Sequence, residues 1–242
     1  MNTPSFSVLL PTHDRADVLG HAIRSVLAQT DPDLELLVVG DGCTDDTADV
    51  VASFDDARVR WFDLPKAPGF GYTNRNVALR EARGELVAFM AHDDVLLPDH
   101  LERMRPCFDA AEVEWAHSRP LWKDDDARMV PFATDLTLDD EFDRFMQEDN
   151  TIPASAVVHR RACLERYSWW PDDVPRSGDH VLWKRMLGPS HGANVASLPE
   201  VTTIHFRAFW RRGRAWGPPP LSTWLAAPAM RHIRPPIETA EL

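Results

Sequence analysis

Leu86-Val87-Ala88-Phe89-Met90-Ala91-His92-Asp93-Asp94 is an apolar run that ends abruptly in two adjacent acids. A run of this kind, with no polar alternation, fits a strand covered on both faces and therefore a central strand of a mostly parallel sheet. The two carboxylates at its tip repel each other, and a divalent cation removes that cost. Magnesium or manganese held by one or two carboxylates plus substrate phosphates fits better than a cage made of protein alone, because few other ligands are at hand. A plainer reading of the same residues makes Asp93 a helix cap ahead of Pro98.

On the N-terminal side, Phe6–Leu10, Glu35–Val39 and Val59–Phe62 are further short apolar runs, separated by helix-period segments at Asp17–Gln29, Thr44–Phe54 and Asn74–Arg83. Strand alternating with helix predicts an α/β fold with right-handed βαβ crossovers. Ligands of such sheets bind at the carboxyl ends of the strands. That makes Pro11-Thr12-His13-Asp14, Gly40-Asp41-Gly42 and Ala91-His92-Asp93-Asp94 the stretches to inspect. On the C-terminal side the pattern predicts a helix from Pro98 to about Ala111 and a strand near Val113–His117. A solvated turn at Asp124-Asp125-Asp126, a strand-like Thr151–Arg161, a helix at Gly178–Leu187 and a strand at Val201–Phe206 follow. Beyond Arg207 the prolines at 218–220, 228, 235 and 236 preclude a long helix.

Composition agrees with a globular chain: 242 residues, 44% hydrophobic and 26% charged. Cys43, Cys107 and Cys163 form no CxxC pair, which speaks against a disulfide framework or a structural zinc site and predicts a reducing, cytoplasmic compartment. No apolar run approaches the ~18 residues of a membrane span, and the N-terminus does not read as a signal peptide. A net charge of −12 disfavours nucleic acid as a partner. The charge is uneven, however: residues 203–242 carry +4 and residues 1–202 carry −16.

Among the candidate residues, Asp41 stands in a Gly-Asp-Gly turn where backbone can approach a ligand, and its carboxylate can accept from a nucleobase N–H or sugar hydroxyls. It can equally cap the helix that opens near Thr44. Asp179, in Ser177-Gly178-Asp179-His180, begins a helix and by itself reads as an N-cap. Gly69-Phe70-Gly71 lacks the third glycine of a dinucleotide fingerprint, and neither a P-loop nor a GxSxG elbow occurs. Hydride transfer, ATP hydrolysis and serine-hydrolase chemistry lose support accordingly.

Taken together, the chain from Ser7 to about His205 resembles the family 2 inverting glycosyltransferases of the GT-A fold. Val8-Leu9-Leu10-Pro11-Thr12-His13-Asp14-Arg15 and Ser25–Thr30 are similar to the family's PTYNR turn and SVLxQT helix. Glu35–Thr47 is similar to its ELLVVDDGSTDGT segment, and Arg75-Asn76 and Ala82-Arg83-Gly84-Glu85 to its RN and ARGE stretches. His92-Asp93-Asp94 occupies its acidic metal motif, and within the family the pattern most resembles the spore-coat polysaccharide transferases. The resemblance implies one GT-A domain over residues 1–206, with a nucleotide-sugar half at about 1–117 and an acceptor half at 118–206, followed by a basic, Pro- and Trp-rich tail at 207–242.

Residue by residue, the resemblance implies that Asp41 binds the nucleobase, Asp93 the ribose, and Asp94 the metal bridging the diphosphate. Pro11, His13 and Arg75 fall on the nucleotide side, Asp179 at the catalytic base, and His205 near the metal, with a core-edge histidine as the alternative for His205. Three departures stand out: His13 for the usual tyrosine, Gly40 for the first acid of an Asp-Asp pair, and Ala91 for the first acid of a DXD motif. The implied reaction moves a sugar from a nucleoside-diphosphate donor, UDP or dTDP favoured, to a glycan, lipid-linked or small-molecule acceptor with inversion. Asp179 takes the acceptor's proton and Mn2+ or Mg2+ at Asp94 stabilises the leaving group. Trp169-Trp170 offer rings for an acceptor to stack on, or pack under their loop. Tail arginines, Arg207 or Arg211, are expected to add to the stabilisation of the leaving group or to close over the donor as a lid, and Trp210, Trp216 and Trp224 among arginines suit peripheral contact with an anionic membrane, against a solvated basic terminus as the alternative. Two other classes stay open: a non-catalytic nucleotide-sugar-binding module on the same fold, and a sugar nucleotidyltransferase.

Overall fold

The computed structural model describes residues 3–123, 129–131, 134–147, 150–190 and 192–206. Four parallel strands, β1 (Phe6–Thr12), β2 (Leu34–Asp41), β3 (Val59–Leu64) and β4 (Leu86–Phe89), are joined by α1 (Ala16–Leu27), α2 (Thr47–Ala52) and α3 (Tyr72–Arg80). Then come β5 (Val95–Leu96), α4 (His100–Met104), β6 (Trp115–Lys123), β7 (Met129–Pro131), α5 (Asp139–Gln147) and β8 (Val157–Arg160). The last described elements are α6 (Ala162–Arg166), α7 (Gly178–Leu187) and β9 (Val195–His205). Among the described residues these strands form one nine-stranded mixed sheet, ordered β3-β2-β1-β4-β8-β6-β9-β5, with β7 paired to β6.

The two-residue period of a strand divides the core. Leu9, Leu37, Val87 and Phe89 face one apolar cluster with α3, α5 and α7, whereas Val8, Leu10, Leu36, Val38 and Ala88 face the other with α1 and α4. Both faces are therefore covered, which is why β1, β2 and β4 are dominated by apolar residues, with β4 apolar throughout. Glu35, buried in β2, is held by Ser7 and by the guanidinium groups of Arg60 and Arg83. Burial alone would raise its pKa, but these hydrogen bonds, led by the Arg83 backbone N–H, hold it below the usual carboxylate value.

Several expected elements differ in extent, each for a local reason. The helix expected from Pro98 to Ala111 is α4 followed by a 3-10 turn at Arg105–Phe108, since Pro106 has no N–H to continue the ladder. The helix expected from Thr44 begins at Thr47, because Asp14 takes the Thr44 N–H at 2.6 Å and Asp45 takes the Thr47 N–H at 3.1 Å. Of the strand-like Thr151–Arg161, only Val157–Arg160 is strand; Ala154–Ala156 turn in a 3-10 helix after extended Pro153. The strands expected at Val113–His117 and Val201–Phe206 are the longer β6 and β9, paired in parallel across a bulge between Ser118 and Pro120. The turn expected at Asp124–Asp126 and the tail beyond Phe206 lie outside the described residues. Among the described residues, no helix is long and apolar enough to cross a membrane.

Candidate active site

The acidic tip of β4 is met by the far end of β9. Val95 and Leu96 of β5 pair antiparallel with Ile204 and Thr203, so the register carries the next pair, Asp94 and His205, face to face. His205 Nδ1 lies 3.0 Å from Asp94 Oδ1, the Phe206 N–H donates to Oδ1 at 3.1 Å, and the Ser155 hydroxyl donates to Oδ2 at 2.6 Å. Asp94 is 1% exposed, so these contacts replace the water its charge has lost. Among the described residues no group of three or more His, Cys, Asp or Glu gathers to hold a metal. The Asp94–His205 pair does suit a divalent cation that takes its remaining positions from phosphate and water, the arrangement expected of Mn2+ or Mg2+ at a diphosphate. The expected Asp93, Asp94 and His205 thus line one wall, with Pro11 from the end of β1 beside them.

Asp179 comes to the same cavity from α7. The cap reading of Asp179 is corrected by geometry: Ser177, with φ 55°, stands at the N-cap, and Asp179 lies inside the first turn. Its Oδ2 accepts from Asn150 Nδ2 at 2.9 Å. The helix can start here because Gly178 donates its N–H to the Tyr72 hydroxyl at 3.0 Å. A Cβ on Gly178 would lie 2.6 Å from the Tyr72 ring, so only glycine allows this approach.

Arg75, also at the cavity, lies against the stacked rings of Tyr72 and Trp170, with its guanidinium carbon 4.8 and 4.7 Å from their centroids. Its Nη1 donates to the Phe70 carbonyl at 2.9 Å, and its buried Nε has no partner among the described residues. Burial draws the guanidinium down to about 10, against the opposing pull of Tyr72, Asp179 and Asp41, so it stays charged at neutral pH. Trp170 is part of the cavity wall and of the core at once, stacked on Tyr72 at 5.6 Å, edge-on to Phe89 and Trp183, and held by the Asn76 side-chain amide, which donates to its carbonyl and accepts from its N–H.

Three expected residues do not line the cavity. Trp169 packs under the Arg80 guanidinium, 4.8 Å away, which replaces the expected acceptor platform at that position with surface packing. His13 is half exposed beside Asp14, at 3.8 Å. Asp41 is buried, and its carboxylate accepts from the Ala67 N–H and Asn74 Nδ2, both at 2.8 Å, and from Lys66, fastening the segment before α3. The Gly40 departure has a steric cause: a Cβ there would lie 2.3 Å from the Trp61 ring, which covers the place where a side chain would stand. Sequence reasoning missed Lys66, Tyr72, Asn150 and Ser155. Asn150 carried a readable signal, since Asn two residues ahead of a buried apolar residue and a proline is a turn former; a lone Ser155 carried none.

The whole arrangement surrounds a cavity of about 790 Å3 at the carboxyl ends of β1 and β4, lined by Asp93, Asp94, His205, Arg75 and Asp179 and floored by Phe89 and Trp170. The family model described as glycosyl transferase family 2 matches residues 7–159, and the chain belongs to that family. Its mostly parallel curled sheet is the GT-A fold. Residues 1–349 of TarS from S. aureus, crystallised with UDP-GlcNAc, superpose with a TM-score of 0.68 at 19% identity, over 88% of this chain and 59% of that one. The mannosyltransferase PcManGT from Pyrobaculum calidifontis, crystallised with GDP-Man and Mn2+, gives 0.64 at 19% identity over 87% of this chain and 60% of that one. Among curated proteins, the chain is 36% identical over 113 residues to the succinoglycan biosynthesis protein ExoO of Rhizobium meliloti, covering 47% of this chain and 32% of that protein. It is 37% identical over 103 residues to GalNAc(5)-diNAcBac-PP-undecaprenol beta-1,3-glucosyltransferase of Campylobacter jejuni, 42% of this chain and 33% of that protein. The chain thus spans about a third of the length of these relatives.

Proposed function

We propose that the protein transfers a sugar from a nucleoside-diphosphate donor to an acceptor hydroxyl with inversion at the anomeric carbon. The observation that carries the reading is the meeting, in one cavity, of the acid pair Asp93-Asp94 with the carboxylate of Asp179. An acceptor hydroxyl has a high pKa, so a carboxylate must take its proton as the new bond forms, and Asp179 is assigned that role. One carboxylate on the acceptor side permits a single displacement and no covalent sugar intermediate, hence inversion. Asp93 is assigned to the ribose, Pro11 to the nucleotide, and Arg75, a fixed cation in a desolvated setting, to the donor.

Asp94 and His205 would hold the divalent cation, with Mn2+ favoured over Mg2+ by the imidazole donor. The ion supplies Lewis-acid stabilisation of the leaving diphosphate when bound. A UDP- or dTDP-sugar is the favoured donor, supported by the UDP complexes of TarS and of glucosyl-3-phosphoglycerate synthase from Mycobacterium tuberculosis. For Asp41 to meet a pyrimidine N3–H, Lys66 must give way to the base. A glycan, lipid-linked or small-molecule acceptor fits the names of the curated relatives. We assign residues 118–206 to the acceptor half and the remainder, to about residue 117, to the donor half.

Asp179→Asn is the decisive substitution. Turnover should fall about 10²–10⁴-fold while UDP affinity and melting temperature stay near wild type, because the amide cannot accept a proton. NMR assignment of the product should give the anomeric configuration opposite to the donor's. Retention, or a fully active variant, would sink the mechanism, and nucleotide-sugar binding without any turnover in the wild type would leave a binding module.

A further inference from the structure

Asp179 presents its two oxygens unequally. Oδ2 accepts from Asn150 Nδ2 at 2.9 Å, whereas Oδ1 has no hydrogen bond among the described residues, and both side chains line the cavity. The orientation of the Asn150 amide is fixed from its other end. Its Oδ1 accepts the backbone N–H of Ile152 at 3.2 Å, which leaves only the NH2 group to face Asp179. Ile152 is itself buried in the core, so the turn that aims the amide is anchored. A proton acceptor must stand within about 2.6–3.2 Å of the oxygen it serves, held to within about 0.5 Å and 10–20°. An aspartate near the start of a helix, left to itself, has no such constraint on its rotamer.

We propose that Asn150 is a positioning residue that pins Oδ2 of Asp179 and so makes Oδ1 the atom that receives the acceptor's proton. The inference rests on Asp179 being the base. In the step, the acceptor oxygen bonds to the anomeric carbon, its proton passes to Oδ1, and the bond to the diphosphate breaks with its electron pair leaving on the diphosphate.

Asn150→Asp isolates this role, because it keeps the size and the oxygen that Ile152 uses while exchanging the donor for a like charge. The reaction read is Mn2+-dependent release of UDP from UDP-GlcNAc with water as the acceptor, between about pH 5 and 9. The expected result is a kcat lower by about 10- to 100-fold and an acid limb moved up by about one pH unit, with melting temperature and UDP affinity unchanged. Asn150→Ser, which keeps a hydroxyl donor, should retain more activity than Asn150→Ala and carries the test should Asn150→Asp fail to fold. A wild-type kcat and pH profile in the Asn150 variants, with Asp179→Asn inactive, overturns the positioning role alone. An active Asp179→Asn overturns it together with the base.

Discussion

At the scale of single residues, Asp94 and Gly178 are positions where a small change meets a specific obstacle. Asp94, almost fully buried, accepts hydrogen bonds from the Ser155 hydroxyl and the Phe206 N–H, faces His205 Nδ1 at 3.0 Å, and is the carboxylate assigned to the cation. Asp94→Ala should abolish the Mn2+-dependent part of UDP binding, and Asp93→Ala should weaken it less. Calorimetry of UDP with and without Mn2+ checks this, and an unchanged metal-dependent affinity in the Asp94 variant rejects the assignment. Gly178→Ala would drive a methyl group into the Tyr72 ring, 2.6 Å away, so that either the ring or the start of α7 must move. We expect a loss of about 1–3 kcal/mol in urea unfolding, as for overpacked sites, and a drop in turnover because Asp179 moves with the helix. A variant as stable and active as wild type would show that the helix start tolerates displacement.

At the scale of elements, the junction of α3 with α7 and the segment bearing Trp170 is what presents Asp179 and Arg75 together. Tyr72 stacks on Trp170, accepts the Gly178 N–H, and supports the Arg75 guanidinium, so one α3 side chain serves all three partners. Tyr72→Phe keeps both ring contacts but leaves the Gly178 N–H without its phenol, at a cost of about 1–3 kcal/mol. Trp170→Ala removes the whole wall and should cost about 3–5 kcal/mol. Thermal and urea melts distinguish the two. Equal, small losses in both variants would mean that the junction contributes less than its burial implies.

At the scale of the molecule, acid stability follows from buried histidines. Burial holds both His117 and His159 at about 4, below an ordinary value of 6.5, so the folded protein keeps them neutral where the unfolded chain would charge them. The stability from this difference is present in full above about pH 6.5 and is lost as pH falls toward 4, on the order of 3 kcal/mol for each residue. Glu35, whose pKa is lowered by its arginine and serine partners despite burial, adds a further loss below its ordinary value of 4.5. Urea melts should show a steep decline in unfolding free energy between pH 6.5 and 4.5. A flat profile over that interval would contradict the burial of both histidines as neutral groups.

The sequence by itself determined the donor-side sheet and its acidic tip. Strands with both faces covered are mostly apolar, and helices between them show their own period, so β1, β2, β4 and their crossovers were legible as pattern. Asp93 and Asp94 were legible as a candidate cation site from their adjacency at a strand tip, while the separate roles of these two and of Asp179 came only through the family resemblance, because an acid after a strand or at a helix start also reads as a cap. What only the tertiary structure decided are the pairings across long separations. The register of β5 against β9 brings His205 onto Asp94, 111 residues away; Asn150 reaches Asp179; and Lys66 occupies Asp41, which no local signal foretells. The short helix α5 shows the boundary between the two. Its three first-turn acids and its Phe142–Phe145 spacing are readable, yet the apolar stripe is so narrow that only packing against the β6 and α7 tryptophan core fixes it.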